Sequence, residues 1–340
     1  MLAMNKKFKR VLITGGAGYC GSRLVPQLLE DGYFVTVYDA LYYGKDSLPL
    51  EHENLSVIRG DVRDVGLFAE AVNGHDALLH LACISNDASF VLDEALSTSV
   101  NMEAFEPMVV AAKKNGVKRF IYASSSSVYG VSDQPDVKED HPLVPLTLYN
   151  KYKGMCEPLL FKHTDNNFEG VVFRPATVCG YAPRQRLDLS VNILTNHAVN
   201  KGKITVFGGS QLRPNLHVQD YADLCKALLL ADSCAVQDEI FNCGYQNMSI
   251  LDIANVVKSI VEEEFPELGE IGIEVTASDD NRSYHINSDK IFEKLGFRPK
   301  LSVGDAVREL CNAFKNGSLP DSFDNDAYYN VRTMKSKSVR

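Results

Sequence analysis

Apolar positions in the first half of the chain come in short runs separated by stretches of helical periodicity. "RVLIT" (10–14), "YFVTVYD" (33–39), "LSVIRGD" (55–61), "ALLHLA" (77–82) and "RFIYASS" (119–125) are such runs. Between them the pattern predicts a helix opening after Gly18 and a long helix through "NMEAFEPMVVAAKKNG" (101–116). Short apolar runs alternating with helices predict a parallel sheet covered on both faces. Gly32 and Gly116 directly follow periodic stretches, where a left-handed cap ends a helix. The first half reads as an α/β domain with a doubly wound parallel sheet of the Rossmann type.

After "GVVFRP" (170–175) the rhythm loosens. A helix is expected up to about Asn200, a strand and loop in "KITVFGGSQLRPN" (203–215), and helices around 218–231, 250–263 and 303–314. This predicts a smaller α/β substrate-binding domain, with the chain crossing between the two domains more than once. Residues 8–176, joined by about 213–247, are assigned to the dinucleotide-binding domain. Residues 177–212 and 248–325 are assigned to the substrate-binding domain, and 326–340 to a frayed tail.

A net charge of −9 over 340 residues speaks against a nucleic-acid surface, which needs surplus Lys and Arg. An anionic ligand must instead be held by local arginines. No apolar run approaches the ~18 residues of a membrane span, and "MLAMNKKFKR" carries charge without an apolar h-region behind it. A cytoplasmic protein away from membranes is expected. The eight cysteines are scattered without a CxxC pair, so neither a metal site nor a disulfide framework is signalled.

"VLITGGAGYCGSRLV" places Gly15, Gly18 and Gly21 at the turn from the first strand into the first helix, with Tyr19 and Cys20 among them. Glycines at such a turn let backbone approach a pyrophosphate. The helix that follows carries Leu24, Val25, Leu28 and Leu29 on its inner face, and the second strand ends in Asp39. An acid there binds the adenosine ribose hydroxyls and repels a 2′-phosphate, which favours NAD over NADP. Asp61 and Val62 after the third strand, and Leu81 and Ala82 after the fourth, fall where adenine and the cofactor backbone would lie. Further on, "LYNKYKGMCE" sets Tyr149 one helical turn ahead of Lys153, so that phenol and ammonium share a face.

Together, "TGGAGYCG", "GDV", "HLA", Asn101, "SSSSVYG", "YNKYK" with Glu157 beyond it, "LRPNLHVQD" and "DDNRSYHINSDKIFEKLGF" resemble the extended short-chain dehydrogenase/reductase family. Within it they resemble the nucleotide-sugar epimerases and dehydratases, UDP-glucose 4-epimerase-like enzymes among them. The resemblance implies NAD as cofactor, a nucleotide-diphosphate sugar as substrate, and a homodimer. It makes Tyr149 the acid/base, Lys153 its partner and Ser125 the serine that shares the substrate proton. It adds Asn101 and Pro175 to the cofactor site, and Ser126, Thr177, Arg213 and Arg282 to the substrate site. A tyrosine of ordinary pKa near ~10 is a poor base at neutral pH, but an adjacent ammonium and a positive nicotinamide stabilise its phenolate.

The sequence departs from the family pattern in two places. Thr177 stands where many relatives have a substrate-binding asparagine, with Cys179 expected as a pocket wall. Dehydratases carry an acid between the catalytic hydroxyl and "VYG", whereas this chain has Ser126 and Ser127. These features point to 4-epimerisation through a transient 4-keto sugar. A 4,6-dehydratase or 4-ketoreductase is the alternative, with Asp87 as a substitute acid. A silent dinucleotide-binding sensor is the alternative from another class, against which the intact Ser125, Tyr149 and Lys153 argue. Arg184 and Arg186 read equally as ligands or surface, while His217 and Asp220 read as loop and helix-cap residues.

Overall fold

The structure is a computed structural model that describes residues 7–132, 134–277 and 283–337. Arg282 lies outside the described residues. The strands are β1 (Arg10–Thr14), β2 (Phe34–Asp39), β3 (Leu55–Arg59), β4 (Ala77–His80), β5 (Arg119–Ala123), β6 (Glu169–Pro175), β7 (Thr177–Cys179), β8 (Lys203–Phe207), β9 (Leu212–His217), β10 (Glu239–Cys243), β11 (Gln246–Ser249) and β12 (Gly272–Thr276). Seven of them form one sheet in the order β10-β6-β5-β4-β1-β2-β3, and every pairing in it is parallel. β11-β9-β7 and β12-β8 form two smaller sheets.

Alternation along the central strands divides the core. Val11 and Ile13 pack to one face with Leu24, Leu28 and Leu224, while Leu12 packs to the other with Phe105, Met108 and Phe120. Side chains of a strand point alternately to its two faces, so a strand buried on both sides must be apolar throughout. A third cluster gathers Ile204, Val206, Ile253, Val257 and Val307 around the two-stranded sheet. The helices expected around 218–231, 250–263 and 303–314 occur as Val218–Leu230, Ile250–Glu264 and Val303–Lys315. Among the described residues no helix is long and apolar enough to cross a membrane.

Two expectations are corrected. The long helix through residues 101–116 is broken into a wide turn, Ser99–Glu103, and a helix, Phe105–Lys114. The amide of Asn101 inside the wide turn bonds both backbone groups of Ile84, at 2.8 and 2.9 Å, and holds this segment against the loop after β4. The segment read as a frayed tail carries a helix, Asn330–Ser336, whose Asn330, Thr333 and Met334 are buried. Its polar sequence conceals an inward face at i, i+3 and i+4.

Candidate active site

Sheet order reverses direction between β1 and β4, and such a switch point opens a crevice at the carboxyl ends of the strands. A cavity of about 590 Å³ occupies that crevice. The turn after β1 forms its floor. Gly15 has φ +73°, and a Cβ on it would lie 2.6 Å from the Ala82 backbone nitrogen, so only glycine fits. A Cβ on Gly18 would meet only the Gly15 carbonyl, and it would fill space that now belongs to the cradle. Gly15, Gly18, Tyr19, Cys20, Gly21, Asp39, Asp61, Val62, Leu81, Ala82 and Pro175 all line the cavity.

Asp39 ends β2 with its carboxylate accepting from Leu41 N at 2.8 Å and Ala17 N at 3.0 Å. Burial raises its pKa, against those two amides and the charge of Arg184. Each oxygen has one backbone donor and keeps lone-pair capacity for a ribose hydroxyl. The glycine cradle and this acid fit a dinucleotide. Asn101, expected in the cofactor site, does not line the cavity, because both its amide atoms are spent on Ile84.

At the other end Ser125, Ser126, Tyr149, Lys153, Thr177 and Arg213 line the same cavity. Tyr149 and Lys153 come from the helix Leu148–Phe161, which Thr147 opens by accepting from Asn150 N. The Lys153 ammonium donates to the Ala123 carbonyl at 2.7 Å and lies 5.0 Å from the Tyr122 ring centre. Burial pushes the Tyr149 phenol well above its usual range. Cys83, Asp87 and Tyr284 push it the same way, and Arg186 works against them. At neutral pH burial therefore favours the protonated phenol, and phenolate needs added positive charge.

Ser127 donates to Asn150 Oδ1 at 2.6 Å, and its oxygen lies 2.7 Å from Ser125 Oγ. With the Ser127 proton committed to the amide, Ser125 is the donor in that second bond. Ser125 Oγ also accepts from Ser127 N at 3.1 Å. Behind the site, Ser124 donates to Glu157 at 2.6 Å, and Glu157 receives both forks of Arg174, at 2.9 and 2.6 Å. Arg174 continues to Tyr129 OH at 2.7 Å, which donates to Asn242 at 2.7 Å. This chain is buried, and it fixes the backbone next to Ser125.

Other residues weighed from sequence take clear positions. Arg184 and Arg186 are buried cavity residues. Burial lowers the pKa of Arg184 to about 10. Burial also opposes the charge on Arg186, but Asp188, 2.9 Å from its Nε, carries its pKa upward. Cys179 is not a pocket wall: its thiol faces the Leu216 carbonyl at 3.6 Å inside the third core cluster. His217 caps the helix Val218–Leu230, and Asp220 accepts from Lys300 N and Leu301 N. Sequence reasoning missed Asn150, Asp188, Tyr284, Asn330 and Met334, which also line the cavity. Tyr284 lies within the quoted "DDNRSYHIN" motif. Asn330 and Met334 lay in the supposed tail, where their i, i+4 spacing was the available signal.

A doubly wound sheet with a glycine-rich turn at its switch point and an acid ending the second strand is a dinucleotide-binding enzyme fold. The chain belongs to the NAD dependent epimerase/dehydratase family, whose model matches residues 11–244. It falls in the nucleotide-sugar group of the extended short-chain dehydrogenases/reductases, and NAD is its cofactor. It is 27% identical over 317 residues to a dTDP-glucose 4,6-dehydratase of Actinoplanes sp., covering 88% of this chain and 96% of that protein. It is 28% identical over 275 residues to a UDP-glucose 4-epimerase of Lactobacillus helveticus, covering 74% of this chain and 82% of that protein. A solved structure of MoeE5 in complex with UDP-glucuronic acid and NAD superposes with a TM-score of 0.74 at 27% identity, covering 91% of this chain and 99% of that one.

Proposed function

We propose that this enzyme epimerises C4 of a nucleotide-diphosphate sugar. NAD supplies the acceptor, and then the donor, of the C4 hydride. Tyr149 takes the proton from the sugar O4 while Ser125 holds the same oxygen. On substrate binding the Ser125 O–H turns from Ser127 to donate to O4, holding that oxygen while its proton passes to Tyr149. Lys153 adds positive charge to the same cavity, which favours phenolate at Tyr149. The 4-keto sugar turns in the cavity, receives the hydride on its other face, and regains its proton from Tyr149. Arg213 and Thr177 hold the diphosphate half, with arginine giving a planar, permanently charged fork.

The observation that carries this reading is the chemistry of positions 126 and 127. Elimination of water across C5 and C6 needs a base for the C5 proton. Ser126 is buried with its hydroxyl 3.4 Å from Tyr284 OH, and Ser127 is tied to Asn150, so neither offers a carboxylate.

A second reading rests on Asp87. Its carboxylate lines the cavity, accepts from Thr147 Oγ1 at 2.5 Å, and raises the Tyr149 pKa. As the C5 base it would make the enzyme a 4,6-dehydratase. The test is turnover in heavy water with UDP-, GDP-, dTDP- and CDP-sugars, read by NMR. Epimerisation returns the C4 epimer with no deuterium at C5. A 6-deoxy-4-keto product carrying solvent deuterium establishes the dehydratase and overturns the proposal.

A further inference from the structure

The C-terminal helix Asn330–Ser336 lies beyond the matched family segment, yet Asn330 and Met334 line the cavity. Its position relative to Asp39 shows which part of the cofactor it meets. β2 and β3 are neighbours, so Asp39 at the end of one and Val62 after the other lie side by side at the same end of the crevice. Asp39 marks that end as the place for the adenosine ribose. Beside it, Val62, Ala82, Ile84, Val100 and Met334 present apolar surface to the cavity. Met334 packs in the same core cluster as Val62, Ile84 and Val100. An apolar slot next to a ribose-binding acid suits a flat aromatic base, and a thioether against a ring is a favourable contact.

Asn330 fastens the helix in place with its backbone N–H and both side-chain amide atoms. Its backbone N–H donates to Asp188 at 3.0 Å, its Nδ2 donates to Ser85 at 2.8 Å, and its Oδ1 accepts from Arg184 at 2.7 Å. Lys337, just past the helix, donates to the Tyr42 carbonyl. The helix is thereby tied to the loop after β2, the loop after β4 and the segment 184–188. It bridges the adenosine end of the crevice.

We propose that the C-terminal helix is part of the NAD site, with Met334 forming one wall of the adenine slot and Asn330 locking that wall shut. A bound cofactor then leaves only when the helix lifts. This inference depends on NAD as the cofactor and not on which sugar reaction follows.

The test uses full-length protein stripped of bound nucleotide with charcoal, together with the variants Met334→Asp, Met334→Leu and Asn330→Ala. Placing a charge in the slot removes the contact of a buried Met, so Met334→Asp should weaken NAD and ADP about ten- to a hundredfold by calorimetry. Met334→Leu should bind both like the parent. Asn330→Ala should release NAD at least about tenfold faster in stopped-flow displacement, because the helix opens more often. Nicotinamide mononucleotide and UDP, which do not reach the slot, should bind all variants equally well. The proposal is overturned if Met334→Asp and Asn330→Ala bind and release NAD as the parent does. It is overturned equally if Met334→Asp loses UDP and nicotinamide mononucleotide in the same proportion as ADP, since the helix would then support the cavity in general.

Discussion

Ser127 Oγ donates to Asn150 Oδ1 over 2.6 Å, and this bond sets the direction in which the neighbouring Ser125 hydroxyl points. Position 127 lines the cavity, where a carboxylate would supply a base that serine does not. With serine there, the group acts on its neighbour.

The relay has a kinetic signature. In the proposed mechanism the Ser125 hydroxyl holds the reacting oxygen, so Ser125→Ala should lower kcat by about two orders of magnitude or more. Ser127→Ala leaves that group in place but frees its orientation, and kcat should fall about tenfold with KM nearly unchanged. Steady-state kinetics on the accepted sugar nucleotide distinguish the two. A Ser127→Ala enzyme as crippled as Ser125→Ala would give Ser127 a direct part in the chemistry.

Tyr149→Phe keeps the ring in its place and removes only the proton-carrying oxygen. Thermal unfolding and NAD affinity should match the parent, while turnover drops by about two to four orders of magnitude, the range for loss of a positioned acid/base. Parent-like turnover would take Tyr149 out of the mechanism.

Cofactor choice is expected to follow Asp39. A 2′-phosphate brought beside its carboxylate meets like charge in a partly buried site, which amounts to a penalty of about a hundredfold or more in affinity. Calorimetry should therefore find NADP at least that much weaker than NAD, and Asp39→Ala should narrow the gap by weakening NAD and relieving NADP.

The parts of this molecule that were legible in sequence are those governed by local pattern. The five apolar runs became β1 to β5: β1, β2, β4 and β5 are inner strands and so apolar nearly throughout, while β3 is the edge strand with Ser56 and Arg59 exposed, and the glycine turn is readable because Gly15 tolerates no side chain. What stayed hidden depends on partners far away in sequence. Asn330 bonds residues 142 and 245 positions earlier, so nothing within "NVRTMKS" shows that it is held. Ser127 and Asn150 lie 23 residues apart in two separate motifs, and only the packing of their helices shows that one side chain answers the other. The break in the long helix has the same origin, since it depends on Asn101 reaching Ile84.

Stability should be sensitive to the pair Glu157 and Arg174. Both side chains are 3% exposed and joined by two short bonds. Glu157→Gln leaves the guanidinium buried without its counter-charge and also weakens the hold on Ser124, at a cost of about 3–5 kcal/mol. Denaturant unfolding should show the midpoint falling accordingly. A shift of less than about 1 kcal/mol would mean that solvent reaches the pair.

The sharpest prediction concerns the pH dependence of turnover, because two residues act on the Tyr149 phenol with opposite signs. Burial raises its pKa, Asp87 raises it further, and Arg186 lowers it. In the proposed mechanism the phenolate is the base, so the rate should climb with pH until the phenol has lost its proton and then level off. Arg186→Gln removes a positive charge that favours phenolate, so the pKa rises and the acidic limb moves to higher pH. Asp87→Asn removes a negative charge that disfavours phenolate, so the limb moves to lower pH. Each shift should be of the order of half to one pH unit, as for a single charge across a partly screened site. A purely structural role for either residue would lower the plateau and leave the limb in place. The profiles of kcat/KM for the parent and both variants give the answer, and limbs displaced in the same direction by both substitutions would refute the electrostatic account. If Asp87→Asn abolished turnover across the whole pH range, the carboxylate would be a chemical participant, and the dehydratase reading would gain the base it lacks at positions 126 and 127.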